Sequence, residues 1–441
     1  MRCGLGGLAA SNPANAAARE AFVSPTVKDQ PELAWLLKAP GSAEATPAVA
    51  AILERLAGGN ALGEAEGCEL MRAPLADLPA ICKVASALRD QGKGRRVSFS
   101  PKVFIPLTHL CRDICGYCTF RQEPGKAARI YMTPEEVLEV ARAGERLGCT
   151  EALFTLGERP EQRYPEAKDW LAHRGYRTTL EYLHDVSALV LEETSLLPHL
   201  NPGTMSQREM ASLREVSASM GIMLENVSPL LYAPGGPHEF APSKRPAVRL
   251  KTLENAGKLK TPFTTGILIG IGETLEDRVA SLFAIKRLHD QHGQIQEVIV
   301  QNFRAKPETA MWGRGEPGSV DMVRTLAVTR LALGKDANIQ APPNLTPRDF
   351  PLYLHAGLND WGGVSPLTPD FVNPEAPWPH LTDLARRTRA EGFELVPRLP
   401  VYPSYIAEQG WLANAVAPRV LAVAGTDGYV KEGIERYVPA T

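Results

Sequence analysis

Residues 103–118 read VFIPLTHLCRDICGYC. The run Val103–Leu107 is short, apolar and partly β-branched, which predicts a strand. It leads directly into Cys111, Cys115 and Cys118, a C-x3-C-x2-C spacing. Three thiols this close in sequence suit a loop folded around one metal centre. Soft thiolates select zinc, Cu(I) or iron–sulfur clusters. A closed structural zinc site wants four ligands, and the nearest further donor is His109, just before the loop. A cube-shaped cluster held by three cysteines leaves one iron open to a small chelating ligand. Cys3, Cys68, Cys82 and Cys149 have no such spacing and read as small core hydrophobes.

Outward from this loop, strand candidates alternate with amphipathic stretches. The strands are Val103–Leu107, Glu151–Leu156, Leu196–Asn201, Ile222–Asn226, Thr264–Ile269 and Glu297–Gln301. Helices are expected near 134–147, 178–193, 206–219, 249–259, 274–291 and 320–334. Thr133-Pro134-Glu135-Glu136 marks one helix start, with an N-cap, a proline at the first position and a capping-box glutamate. Strand then helix, repeated about six times, predicts parallel βα units. It fits an α/β fold, a partial or complete βα barrel, better than a doubly wound sheet. The reading divides the chain into a mobile start (1–45), a helical lead-in (46–96), the core barrel (97–345) and a loop and helical extension (346–441). Residues 359–380 are dense in Pro, Gly, Asn and Asp and read as loop.

Composition excludes several classes. With 48 Lys+Arg against 50 Asp+Glu among 441 residues, the net charge of −2 gives no reason to expect nucleic acid or an anionic membrane as partner. No apolar run reaches membrane-spanning length. The start, MRCGLGGLAASNPANAAAR, gives weak grounds for a signal peptide. Seven cysteines, an odd number in a long chain, argue for a reducing cytoplasm rather than a disulfide framework.

The C-x3-C-x2-C loop after the first strand resembles the signature of the radical S-adenosylmethionine (radical SAM) superfamily. That resemblance implies a [4Fe-4S] cluster on Cys111, Cys115 and Cys118, whose open iron chelates SAM and generates a 5′-deoxyadenosyl radical. It implies SAM contacts at strand ends: Tyr117 before the last cysteine, Gly157 and Glu158 after the second strand, Glu225 at the end of the fourth, and Gly266, Gly270 and Glu273 along and after the fifth. A glycine-rich strand end alone is weak evidence; in this order, behind the cysteines, it carries weight. The cluster reading leaves two rivals of another kind, an iron–sulfur electron carrier and a zinc-stabilised module.

A closer resemblance runs over about 97–400. FSPKVFIPLTHLCRDICGYCTF (99–120), EALFTLGERPE (151–161), QNFRAKPET (301–309) and NDWGGVSPLTPDFVNPEAPWP (359–379) are similar to the subunit 1 family of FO synthase. FO is 7,8-didemethyl-8-hydroxy-5-deazariboflavin, the chromophore of coenzyme F-420. The resemblance implies an ammonia-releasing lyase. It would close the ring of a tyrosine-derived hydroxybenzyl adduct of 5-amino-6-(D-ribitylamino)uracil. It also implies subunit 2 as a separate chain supplying the adduct, and a reductant protein. The nearest relatives to weigh against it are subunit 2 itself and menaquinone-pathway radical SAM enzymes. Substrate candidates by position are Asp113, Asn201, Asn302, Arg304, Asn359 and Asp360. One departure is His109, where the family is expected to carry Arg.

Overall fold

The computed structural model describes residues 45–433. The expected mobile start lies outside the described residues apart from Ala45. Helices α1 (Pro47–Ala57), α2 (Glu64–Arg72) and α3 (Leu78–Lys93) come first. Each turns one apolar stripe inward, for α1 Val49, Ile52, Leu53 and Leu56. That is the three-and-four spacing of an amphipathic helix.

A parallel series follows: β1 (Arg96–Thr108), α4 (Pro134–Arg146), β2 (Glu151–Leu156), α5 (Pro165–Ala172), α6 (Thr179–Glu193), β3 (Leu197–Asn201), α7 (Gln207–Arg214) and β4 (Ser219–Gly221). It continues with α8 (Pro246–Lys258), β5 (Phe263–Ile269), α9 (Leu275–His292), β6 (Ile295–Asn302), α10 (Ser319–Leu333), β7 (Ile339–Gln340) and β8 (Asp360–Val364). Each strand pairs with the next, and β1 pairs with both β2 and β8. The barrel is therefore complete, with eight parallel strands. Thr133 caps α4 as read: its hydroxyl accepts the Glu136 N–H, and Glu136 accepts the Thr133 N–H at 2.8 Å.

Side-chain alternation in β1 fixes what the barrel encloses. A methyl group on Gly144 of α4 would lie 2.2 Å from Val103 Cγ1, so Val103 faces the helix layer. Lys102, Phe104 and Pro106 therefore face the barrel interior. Val103, Ile105 and Leu107 join the main core between strands and helices.

The strand expected over Ile222–Asn226 is corrected: β4 is Ser219–Gly221, and beyond it Ile222 N donates to Thr264 O (3.0 Å) and Glu225 bridges β5 at Ile267. The helix expected over 206–219 ends at Arg214, because Ser219 belongs to the sheet. The loop expected over 359–380 begins with β8, whose Asp-Trp-Gly-Gly-Val sequence lacks the β-branched run that marks a strand.

After α11 (Leu381–Ala390) comes β9 (Glu394–Pro397), parallel to the start of β1. The chain then turns under the barrel. Arg398 enters its base and pairs with Asp360 (2.7 Å) and Glu297 (2.6 Å). The Pro400 carbonyl accepts from Ser219 Oγ (2.7 Å) and Gln296 Nε2 (3.0 Å). Residues 397–402 thus close the amino-terminal end and leave the carboxyl end of the strands for a site.

Candidate active site

The loop between β1 and α4 carries Cys111, Cys115 and Cys118, and neighbouring backbone clasps it from three sides. Ile114 and Gly116 donate to the carbonyls of Phe240 (2.9 Å) and Pro237 (2.8 Å). Met311 donates to Gly116 O (3.0 Å), and Arg112 donates to Glu158 O (2.7 Å). The Glu158 N–H points at Cys111 Sγ, 3.1 Å away. Gly157 lies against the loop: a methyl group there would sit 1.9 Å from Leu110 O and 2.7 Å from Cys111 Cβ. Only glycine admits that approach.

Burial pushes the Cys111 thiol up to about 12 and the Cys115 thiol higher still. Uncompensated thiolates are costly there, so the loop suits a group that brings positive charge of its own. Among the described residues, no three His, Cys, Asp or Glu side chains converge on a single ion. His109 is otherwise engaged: Nδ1 lies 3.0 Å from Phe120 O, and its ring packs 4.5 Å from the Phe120 ring. The donor set does not fit a closed zinc site.

The other strand-end residues surround the same mouth. Tyr117 Oη lies 2.9 Å from His238 Nε2. Burial, with Lys244 and Arg249 nearby, holds His238 down at about 2, so it is neutral. Glu225 sits in the left-handed region at φ 64°, a strained position for a glutamate. Its N–H donates to Gly266 O at 3.1 Å, and its carboxylate pairs with Lys244. The Glu158 carboxylate accepts from Thr204 Oγ1 (2.6 Å) and Thr204 N (3.0 Å). Gly270 has φ 90°. Glu273 closes that turn: its carboxylate accepts from Gly270 N (2.7 Å), Ile271 N (2.9 Å) and Arg278 Nε (2.8 Å). The carboxylates of Glu158, Glu225 and Glu273 are thus engaged within the fold, and what they offer a ligand is fixed backbone.

The substrate candidates divide. Asp113 is buried in the cysteine loop, with Oδ2 unpartnered. Asn201 ends β3, half-buried, 3.1 Å from His199 Nε2. Asn302 ends β6, buried, with Oδ1 unpartnered. Arg304 pairs with Glu316 at 3.0 Å. Asn359 and Asp360 lie elsewhere, at the start of β8 and hence at the closed base. Asn359 Oδ1 accepts from Arg330 (2.6 Å) and Ile339 N (2.9 Å). Asp360 accepts from Arg398 (2.7 Å) and Gly362 N (2.6 Å). Both are bound into the wall, away from the mouth.

The sequence profile of the Radical SAM superfamily matches residues 105–285. A 7,8-didemethyl-8-hydroxy-5-deazariboflavin synthase of Methanopyrus kandleri is 52% identical over 335 residues, which is 76% of this chain and 100% of that protein. The chain belongs to this family of radical SAM proteins. An FO synthase of Streptomyces coelicolor is 49% identical over 383 residues, 84% of this chain and 44% of that protein. The chain thus spans under half the length of that relative. Among solved structures, the FeFe-hydrogenase maturase HydG of Carboxydothermus hydrogenoformans aligns at TM-score 0.66 and 17% identity, covering 89% of this chain and 87% of that one. Methylornithine synthase aligns at 0.61 and 19% identity, covering 78% and 97%. These two share the barrel fold.

The cofactors of the radical SAM family are a [4Fe-4S] cluster and SAM. The residues present fit them. Three half-buried thiols share one loop, and a multinuclear cluster spreads its ligands more widely than a single ion does. Thr204, His238 and Lys244 hold Glu158, Tyr117 and Glu225, and sequence reading missed all three. Their partners lie 46, 121 and 19 residues away, so no local spacing announces them. Among the described residues, no helix is long and apolar enough to cross a membrane.

Proposed function

We propose that this protein is the radical SAM lyase that closes the deazaflavin ring of FO. Its substrate is the hydroxybenzyl adduct of 5-amino-6-(D-ribitylamino)uracil, and ammonia leaves. The observation that carries the reading is the match across the whole length of the Methanopyrus kandleri protein. The barrel supports it, since the three-cysteine loop and the free strand ends share one mouth.

Cys111, Cys115 and Cys118 are proposed to hold the cluster. A [4Fe-4S] cluster and SAM bound there would supply radical hydrogen-abstraction chemistry. Tyr117, Gly157, Glu158, Glu225, Gly266, Gly270 and Glu273 are proposed to shape the SAM site, largely through backbone groups they hold in place. Asn201 and Asn302, at strand ends beside the mouth, remain the substrate-side residues, with Asp113 and Arg304 at its edge. The base of the barrel is sealed by Arg398, so the reacting atoms are shielded from water on that side. Subunit 2 activity from a separate chain and a reductant protein complete the proposed system in the cytoplasm.

The test is anaerobic. The reconstituted protein receives SAM, a strong reductant and the adduct, and FO fluorescence and 5′-deoxyadenosine are read together. Both products are expected. Deoxyadenosine without FO would remove the proposed substrate and keep the radical chemistry.

A further inference from the structure

β8 pairs with β1 only up to Val364, opposite Pro101. Above that point, residues 365–379 take its place beside β1. The Phe104 N–H donates to Thr368 Oγ1 at 3.0 Å. The Phe104 ring stacks on Trp378, centroids 5.2 Å apart and planes within 17°. Trp378 is itself fixed, since its Nε1–H donates to Thr368 O at 3.1 Å. The same segment is tied across the mouth. Lys306 Nζ donates to Val372 O at 2.7 Å, and Asn344 Nδ2 donates to Asp370 at 3.0 Å. It is a fixed wall rather than a swinging lid.

Phe104 stands out on that wall. Its side chain faces the barrel interior, it is half-buried, and it joins none of the three hydrophobic clusters. One ring face is covered by the indole. Register places Leu153 beside Phe104, Thr155 beside Pro106 and Asn201 beside Thr155. Thr155 and Asn201 are half-buried polar residues facing the same interior. The Lys102 ammonium lies on the same face, its Nζ 6.0 Å from the Phe104 centroid, and a lining of one planar ring with polar groups around it suits a flat, polar heteroaromatic molecule.

We infer that Phe104, backed by Trp378, is the stacking platform for the planar ring of the substrate, with Thr155 and Asn201 turned toward its polar groups. This deepens the proposed function and rests on it. Offset stacking is ordinarily worth up to about tenfold in affinity.

The test uses the cluster-loaded, unreduced protein, in which no turnover occurs. FO is titrated in, its fluorescence is followed, and the KM for the adduct is measured separately. Phe104→Leu and Trp378→Leu are each expected to weaken FO binding and raise that KM about tenfold, with kcat held within about twofold. Trp378→Phe, which keeps a planar ring, is expected to restore most of the loss. The change in the reduced cluster's EPR spectrum on adding SAM should be unaltered, which shows that the cluster loop is intact. Should a leucine variant lose that response, Phe104→Met replaces it with the same reading. Leucine variants that match the wild type in both FO binding and KM overturn the platform, while FO formation by the wild type keeps the function. A wild type that neither binds nor makes FO overturns the function and the platform together.

Discussion

Gly157 has no room for a methyl group, since Leu110 O would be 1.9 Å away and Cys111 Cβ 2.7 Å. Gly157→Ala must therefore push the cysteine loop off the end of β2. Overpacking of this kind costs about 1–3 kcal/mol. Iron content is expected to fall although every thiol is kept, and a variant with full iron would show that the loop yields freely. His199 offers a second test, through pH. Burial holds it down at about 4, in contact with Ser219 Oγ at 2.6 Å. An unfolded histidine titrates near 6.5, so between about pH 6.5 and 4 the unfolded chain binds a proton that the folded one refuses. Stability contributed by this residue is full above that window and falls as pH drops through it, by about 3 kcal/mol in all. Urea midpoints at pH 7 and pH 5 should converge in His199→Gln relative to the wild type. An equal pH slope in both proteins would exclude His199 as the cause.

At the scale of elements, the turn after β9 carries a buried charge into the base of the barrel. Arg398, 2% exposed, faces Asp360 and Glu297, both nearly fully buried. Burial alone would lower its pKa, but the two carboxylates outweigh it and keep the guanidinium charged. Arg398→Ala leaves both carboxylates without their cation, a loss of about 3–5 kcal/mol. Urea unfolding measures it, and a loss below about 1 kcal/mol would mean that the base is not sealed by this residue. The same element shows where the sequence stops being readable. β2, β5 and β6 were legible because each is a run of apolar residues bounded by polar turns. The cysteine loop was legible because its donors lie within eight positions. β8 was not, because two of its five residues are glycine. Asp360 was a substrate candidate by position alone, in a segment read as loop. Its partner Arg398 lies 38 residues on, and nothing in the local pattern links them.

At the scale of the whole molecule, one barrel carries one three-cysteine loop among the described residues. The remaining described cysteines stand singly outside that loop, on α2, on α3 and just before β2. Cys82 and Cys149 are buried, and burial pushes both thiols up to about 12. Cys68 is half-buried on α2. On the proposed cluster site one [4Fe-4S] cluster per chain is expected, so reconstitution should saturate near about four irons. Cys111→Ala, Cys115→Ala and Cys118→Ala should each abolish it, while Cys68→Ala and Cys149→Ala should not. Iron near twice that value would require a second cluster that these cysteines do not explain. The stoichiometry bears on the proposed reaction, because joining tyrosine to the uracil and closing the ring are two radical events. The single proposed SAM site would serve one of them. The Streptomyces coelicolor FO synthase is more than twice as long as the part this chain matches, and the Methanopyrus kandleri protein is matched whole. On the proposed division of steps, this chain given SAM, reductant, tyrosine and 5-amino-6-(D-ribitylamino)uracil alone is expected to make no FO. Given the preformed adduct, it should make FO at once. FO formed from the two simple precursors without a second protein would show that one barrel performs both steps, and the proposed division between two chains would fall.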